Sequence, residues 1–220
     1  MTTQFEEKKR CGICGFESEY TGIGSTNRFG SADLDTRPPE MERSTIFAWV
    51  QRCPECGYCN NDVSKSPAGA KEVMGGKEYQ DQLNDSAYPV LANSFLCDAI
   101  ICREAGNYAH ATWGLIRAAW ACDDAGKPEQ ASTCREKAAD MLALAQQHGQ
   151  KVCSDARAHA AMLVDLLRRS GQAERAKQIL ATKPQGTDGD VIDLVMSYQG
   201  ALIARNDVSC HTIAEAQEAK

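Results

Sequence analysis

Two copies of one short motif constrain this chain most: Cys11-Gly-Ile-Cys14-Gly15 and Cys53-Pro-Glu-Cys56-Gly57. Two thiolates separated by two residues can grip one cation at tetrahedral angles, with zinc–sulfur distances of about 2.3 Å. The glycine after each pair stands where the chain must turn tightly so that amides point back toward sulfur, which calls for positive φ. Pro54 stiffens the second loop. Each pair stands beside a stretch read as strand, Phe16–Ile23 after the first and Thr45–Gln51 before the second. The pattern predicts a four-cysteine zinc ribbon with one structural Zn2+ on Cys11, Cys14, Cys53 and Cys56. Four thiolates leave no coordination position open. The 38 residues between Cys14 and Cys53 exceed the usual ribbon spacing, so an insertion is expected there.

Cys59 complicates the second pair, because Cys56 and Cys59 share the same spacing. Gly57 favours Cys53 with Cys56, and Cys59 is then a buried free thiol, a spare ligand or an oxidisable sensor. The other six of the 11 cysteines (Cys97, Cys102, Cys122, Cys134, Cys153 and Cys210) fall singly in a helical-looking region and read as core residues. A disulfide framework fits poorly with so many single cysteines and with a polar, unsignal-like Met1–Arg10, so a reducing cytoplasm is expected. A thioredoxin-like motif would need a βαβ setting that neither pair has. The four histidines are dispersed, with no two at i, i+4, and no second metal site follows from them.

Glycine and proline crowd the first part, and the polar run Asn60–Gly69 reads as a linker. The expected division is a zinc-ribbon module over 1–67, with an inserted polar loop, and a helical-hairpin domain over 68–220. The fold class is thus mainly α, a small N-terminal β zinc ribbon followed by all-α tetratricopeptide-like hairpins. Apolar periodicity predicts helices from about Pro89 to Ala105, Tyr108–Asp124, Pro128–Gln147, Ser154–Arg169, Ala173–Ala181, one through Val191, Val195, Tyr198 and Leu202, and Ile213–Ala219. Glu104-Ala-Gly-Asn107, Asp124-Ala-Gly-Lys127 and Arg169-Ser-Gly-Gln172 each set glycine just past a helix. Their spacing is irregular, so degenerate hairpins and an irregular bundle fit the periodicity equally.

The loop Gly22–Pro39 carries Arg28, Ser31, Asp33, Asp35 and Arg37. It lacks the Gly-Lys-Ser/Thr of a phosphate loop. The residues read either as a ligand-binding loop or as one pinned by Asp–Arg pairs and side-chain turns. Asp123 and Asp124 close a helix where the dipole disfavours acids, and Arg117 is a candidate to offset them. Zinc ribbons often meet nucleic acid, but residues 1–67 hold 8 Lys or Arg against 10 Asp or Glu, and 68–220 hold 16 against 20. Neither part supplies the basic footprint phosphate binding needs. No stretch approaches the roughly 20 apolar residues of a membrane span.

Cys11-Gly-Ile-Cys14, Gly30-Ser-Ala-Asp-Leu-Asp-Thr-Arg-Pro-Pro39, Trp49-Val-Gln-Arg-Cys-Pro-Glu-Cys-Gly-Tyr-Cys59, Ala118-Ala-Trp-Ala-Cys-Asp-Asp124 and Asp165-Leu-Leu-Arg-Arg-Ser-Gly171 together resemble an uncharacterised bacterial protein family, a domain of unknown function. The resemblance spans most of 8–182 and weakens after Pro184. It implies a zinc ribbon joined to tetratricopeptide-like helices in a bacterial cytosol, and it implies no catalytic residues. The first functional expectation is a cytosolic adaptor: the ribbon fixes the N-terminal loops and the hairpins present a surface to a protein or peptide partner. The alternatives are a thiol-based redox or metal sensor using Cys59, and an enzyme or small-ligand binder using Asp33, Asp35 and Arg37.

Overall fold

The first 60 residues form three two-stranded antiparallel ladders, and Asp33 adds an isolated bridge to Thr212. A computed structural model describes residues 1–182 and 190–219; Pro184, where the family resemblance weakens, lies outside the described residues. Strands β1 (Thr3–Arg10) and β2 (Glu17–Ser25) form a hairpin with the first Cys-x-x-Cys in its turn. Strands β3 (Arg28–Phe29) and β4 (Glu40–Met41) close the base of the inserted loop. Strands β5 (Gln51–Arg52) and β6 (Cys59–Asn60) flank the second Cys-x-x-Cys.

The strand expected over Thr45–Gln51 is instead a 3-10 helix, Arg43–Ala48, with only Gln51 entering a ladder. Its β-branched and aromatic residues pack at helical spacing: Trp49 Nε1 donates to Thr45 Oγ1 at 2.9 Å, while Thr45 and Ile46 are buried. The expected linker is also packed. Val63 and Asn60 are buried, and the Val63 amide donates to the Gln51 side chain at 2.9 Å.

Helices dominate the remainder: α1 (Ala70–Gly75), α2 (Lys77–Leu83), α3 (Val90–Glu104), α4 (Tyr108–Asp124), α5 (Pro128–Gln147), α6 (Ala156–Arg169), α7 (Ala173–Ala181), α8 (Val191–Ala204) and α9 (Ile213–Glu218). The chain is mainly helical with small antiparallel sheets. The short α1 and α2 are too brief to show an apolar period in the sequence. No helix among the described residues is long and apolar enough to cross a membrane.

The resemblance among the turns has a common geometry. The Gly106, Gly126 and Gly171 amides reach back to Arg103, Asp123 and Arg168 carbonyls at 2.9–3.0 Å. The next residue's amide reaches the preceding carbonyl, Cys102, Cys122 or Leu167, at 2.8–2.9 Å. This satisfies the orphan carbonyls that end each helix and reverses the chain in three residues. Successive helices therefore pack on one another, α3 on α4, α4 on α5, α5 on α6 and α6 on α7. Gly114 marks the closest approach, where a Cβ would stand 3.1 Å from Ala99 Cβ and 3.2 Å from the Phe95 carbonyl oxygen.

One hydrophobic cluster runs through the cysteine-rich segment and the helices, from Cys11, Cys53 and Tyr58 to Leu142, Leu166 and Leu202. Tyr79 on α2 is fully buried and donates its hydroxyl to the Gly57 carbonyl at 2.9 Å. The second Cys-x-x-Cys loop thus rests directly on the helices.

Candidate functional site

The two Cys-x-x-Cys loops have the same backbone. In the first, Cys11 N–H donates to the Phe16 carbonyl and Gly15 N–H to the Cys11 carbonyl, both at 2.9 Å. In the second, Cys53 N–H donates to Tyr58 at 2.8 Å and Gly57 N–H to Cys53 at 3.0 Å. Gly15 and Gly57 hold φ of 77° and 75°, the left-handed turn that a side chain disfavours. The Ile13 amide points at Cys11 Sγ from 3.4 Å.

The loops face each other. Cys11 Sγ lies 3.7 Å from Cys56 Sγ, and Cys14 Sγ 3.6 Å from Cys53 Sγ. All four sulfurs lie within 4.8 Å of one another, and the group could hold a metal ion. Burial pushes the Cys53 and Cys56 thiols up, while the Phe16 amide draws Cys14 down. Four sulfurs this close cannot all ionise on their own, and a divalent cation is what would let them.

Cys59 lies outside this group. It is fully buried, and its thiol meets Cys97 and Tyr79. The Cys97 thiol, then burial, pushes Cys59 well above the usual thiol range, an environment that suppresses thiolate. Of the six single cysteines, Cys97, Cys102, Cys122 and Cys134 are buried, Cys153 is half-buried and Cys210 is exposed. Cys210 departs from the expected core position because it stands in a turn between α8 and α9 rather than on a helix.

The inserted loop turns inward. Asp35 is fully buried and accepts from Trp120 Nε1 at 2.8 Å and Arg169 Nη1 at 3.0 Å, with Arg135 at 3.8 Å. Asp123 accepts from Arg135 and, at 2.9 Å, from Arg169. Arg37 is buried and donates to Asp124 at 2.5 Å, and Arg43 donates to Asp33 at 2.6 Å. Behind them, Asp165 and Arg168 pair at 2.8 Å, both buried. Acids and arginines alternate through this network, so buried charge is matched rather than left bare. The acids closing α4 are therefore offset by Arg135, Arg169 and Arg37, not by Arg117, which stacks 5.4 Å from the Trp49 ring centroid and 5.9 Å from Trp113.

The C-terminal segment clamps the same loop. Leu34 N–H donates to the His211 carbonyl, Ile213 N–H to that of Ala32, and Asp33 bridges Thr212. Ser31 Oγ accepts from the Ala214 amide at 3.0 Å. Asp33, Asp35 and Arg37 thus meet one another and the helices inside the fold, while Arg28 points outward and pairs with Glu42.

Two features escaped the sequence pattern. Asp98, Cys102 and His110 bring three donor atoms within 4.8 Å of one another, and Asp98 lies 3.5 Å from His110 Nε2. A search for paired histidines misses this group, because two donors sit at i, i+4 on α3 and the third on α4. A groove of about 510 Å3 also opens over α2, α3 and α5, floored by Leu96, Ile100, Met141 and Leu144. Its acids are Glu78, Asp81, Asp85 and Asp140, against Arg103 and Lys137. No protein-family model, curated protein or solved structure matches this chain.

Proposed function

We propose that the protein is a zinc-stapled adaptor whose helical-hairpin groove binds a peptide carrying apolar anchors and basic flanks. The groove over α2, α3 and α5 carries this reading. Its apolar floor suits inserted Leu- or Phe-type side chains, and its rim holds four acids: Glu78, Asp81 and Asp140 pair at the surface with Arg103, Lys77 and Arg175, and Asp85 has no basic partner among the described residues. Successive helices reversed by three-residue glycine turns support the tetratricopeptide-like description, and the concave surface is what such hairpins offer a partner. The matching of buried charge across the inserted loop leaves Asp33, Asp35 and Arg37 as structural residues, which favours the adaptor over an enzyme built on them.

Zinc is the metal this donor set favours. Four thiolates are soft ligands, and a tetrahedron with zinc–sulfur distances of about 2.3 Å has edges of about 3.8 Å. The sulfur separations of 3.6 and 3.7 Å agree with that edge. A site closed by four protein ligands staples the fold and offers no place for substrate. Cys11, Cys14, Cys53 and Cys56 are the ligands, and the same resemblance that implies a ribbon implies a bacterial cytosolic setting.

The test uses purified protein and a display library of short peptides with apolar anchors and random flanks. The expected outcome is enrichment of Lys- and Arg-flanked sequences that bind wild-type protein and lose affinity at least tenfold to an Asp81→Lys, Asp85→Lys double variant. Enrichment of acidic flanks, or binding indifferent to the charge reversal, overturns the assignment. Metal analysis should return one zinc per chain, lost from Cys11→Ser and Cys53→Ser.

A further inference from the structure

All three tryptophans of the chain gather around one cavity of about 210 Å3: Trp49 after the 3-10 helix, and Trp113 and Trp120 on one face of α4. Arg117, between those two on the same face, lines it too, and Arg28 and Glu42 stand at its edge. Arg28 and Glu42 satisfy each other through a two-pronged ion pair. Arg117 does not have such a partner: among the described residues no carboxylate lies within 4.0 Å of its guanidinium, and its neighbours are the faces of Trp49 and Trp113. The acid whose field reaches it, Asp98, is engaged with His110. Burial therefore works against a cation that, among the described residues, only the field of Asp98 favours, in a chain whose net charge is −6.

We propose that this cavity binds a small, flat carboxylate, with Arg117 forking onto the carboxylate oxygens and the half-buried Trp49 and Trp113 holding the flat body against the buried wall that Trp120 forms. A guanidinium presents parallel N–H donors at the spacing of two carboxylate oxygens, and indole faces stack on planar groups. The size sets the scale. A water occupies about 30 Å3 of liquid, so the space equals roughly seven waters, enough for a ligand of about ten heavy atoms and too little for a folded partner. The inserted loop contributes to the same wall. Thr36 lines the cavity with φ of 67°, a left-handed conformation rarely held by a β-branched residue. Its neighbours enforce it, since the Thr36 amide donates to the Asp33 carbonyl at 2.9 Å and Asp35 is anchored to Trp120 and Arg169. Asp35 and Trp120 thus join the buried network to the cavity wall, which gives the inserted loop a role beyond stability. This site is separate from the proposed peptide groove and does not depend on it.

Because every tryptophan in the protein lines the cavity, intrinsic fluorescence reports occupancy directly. Benzoate is the probe, with benzamide as its neutral isostere and inorganic phosphate as an anion without a flat face. The expected result is a saturable change with benzoate, weaker by at least tenfold with benzamide and with phosphate. Arg117→Met should weaken benzoate at least tenfold and Arg117→Lys severalfold, each with a far-UV circular dichroism spectrum matching wild type. Should Arg117→Met fail to fold, Arg117→Lys and the benzamide comparison decide. Absence of a saturable change, equal response to benzamide or phosphate, or undiminished benzoate binding by a folded Arg117 variant overturns the proposal.

Discussion

Asp35 illustrates how one buried carboxylate holds distant segments together. It takes hydrogen bonds from α4 and α6 while sitting in a loop more than 80 residues upstream of the first of them. Removing its charge would leave Arg169 and Arg135 buried with Asp123 as their one shared carboxylate, and breaking a buried pair costs up to about 3–5 kcal/mol. Asp35→Asn should therefore lower the urea midpoint sharply, whereas Asp81→Asn, at an exposed pair with Lys77, should leave it unchanged. Asp123 adds a pH dependence. Burial opposes its charge, but the hydrogen bonds and charge of Arg135, then Arg169, prevail and hold its carboxyl below the usual range. A depressed folded value gives stability that is complete above the unfolded value of about 3.9 and fades as pH falls through the folded one. Urea midpoints should thus fall below about pH 4, with a shallower fall for Asp123→Asn. The sequence marked the four knuckle cysteines as a group, but left Asp33, Asp35 and Arg37 open between ligand binding and Asp–Arg pairing within the loop. It did not reveal Arg135 and Arg169 as partners of Asp35, or Asp124 as that of Arg37, because pairing across more than 80 residues leaves no local pattern.

Helix boundaries were legible because capping chemistry is local: glycine past the end, and apolar residues at i, i+3, i+4. The same reasoning failed at Thr45–Gln51, where β-branched residues serve a 3-10 turn whose Trp49–Thr45 hydrogen bond needs helical spacing. It failed again at α1 and α2, each under two turns of detectable period. At this scale helix packing makes two glycines opposites. Gly114 on α4 has no room for a larger side chain against Ala99 and Phe95, so Gly114→Val should push α3 and α4 apart and cost about 1–3 kcal/mol. Gly200 on α8 has only Leu180 Cδ1, at 3.7 Å, near its would-be Cβ. Gly200→Ala should instead stabilise by up to about 1 kcal/mol, the helix-propensity gain. Thermal melts of the two variants moving in the same direction would contradict this packing.

For the molecule as a whole, the contacts between the cysteine-rich segment and the helices determine how loss of a metal held by the four thiols would be felt. A freely tethered ribbon would unfold alone on chelation and leave the helical transition where it was. Here the second knuckle gives its Gly57 carbonyl to Tyr79, Gly57 faces Leu83, and Cys59 lies against Cys97 on α3. The inserted loop, whose base lies between the two knuckles, reaches α4 and α6 through Asp35 and the C-terminal segment through Leu34. Metal bound only by the folded state contributes its binding energy to folding, and for structural zinc that energy is large. Stripping the metal should therefore lower one shared cooperative transition, by about 10 °C or more if several kcal/mol are lost from a chain of this length. The comparison is melting followed both by helical circular dichroism and by tryptophan fluorescence, with and without a strong chelator. Coincident curves that move together would show the staple acting through the shared core. A helical transition unmoved by chelation, with only the tryptophan signal altered, would mean that α3 to α9 fold without the ribbon and that the contacts across residues 57–97 add little to the helices.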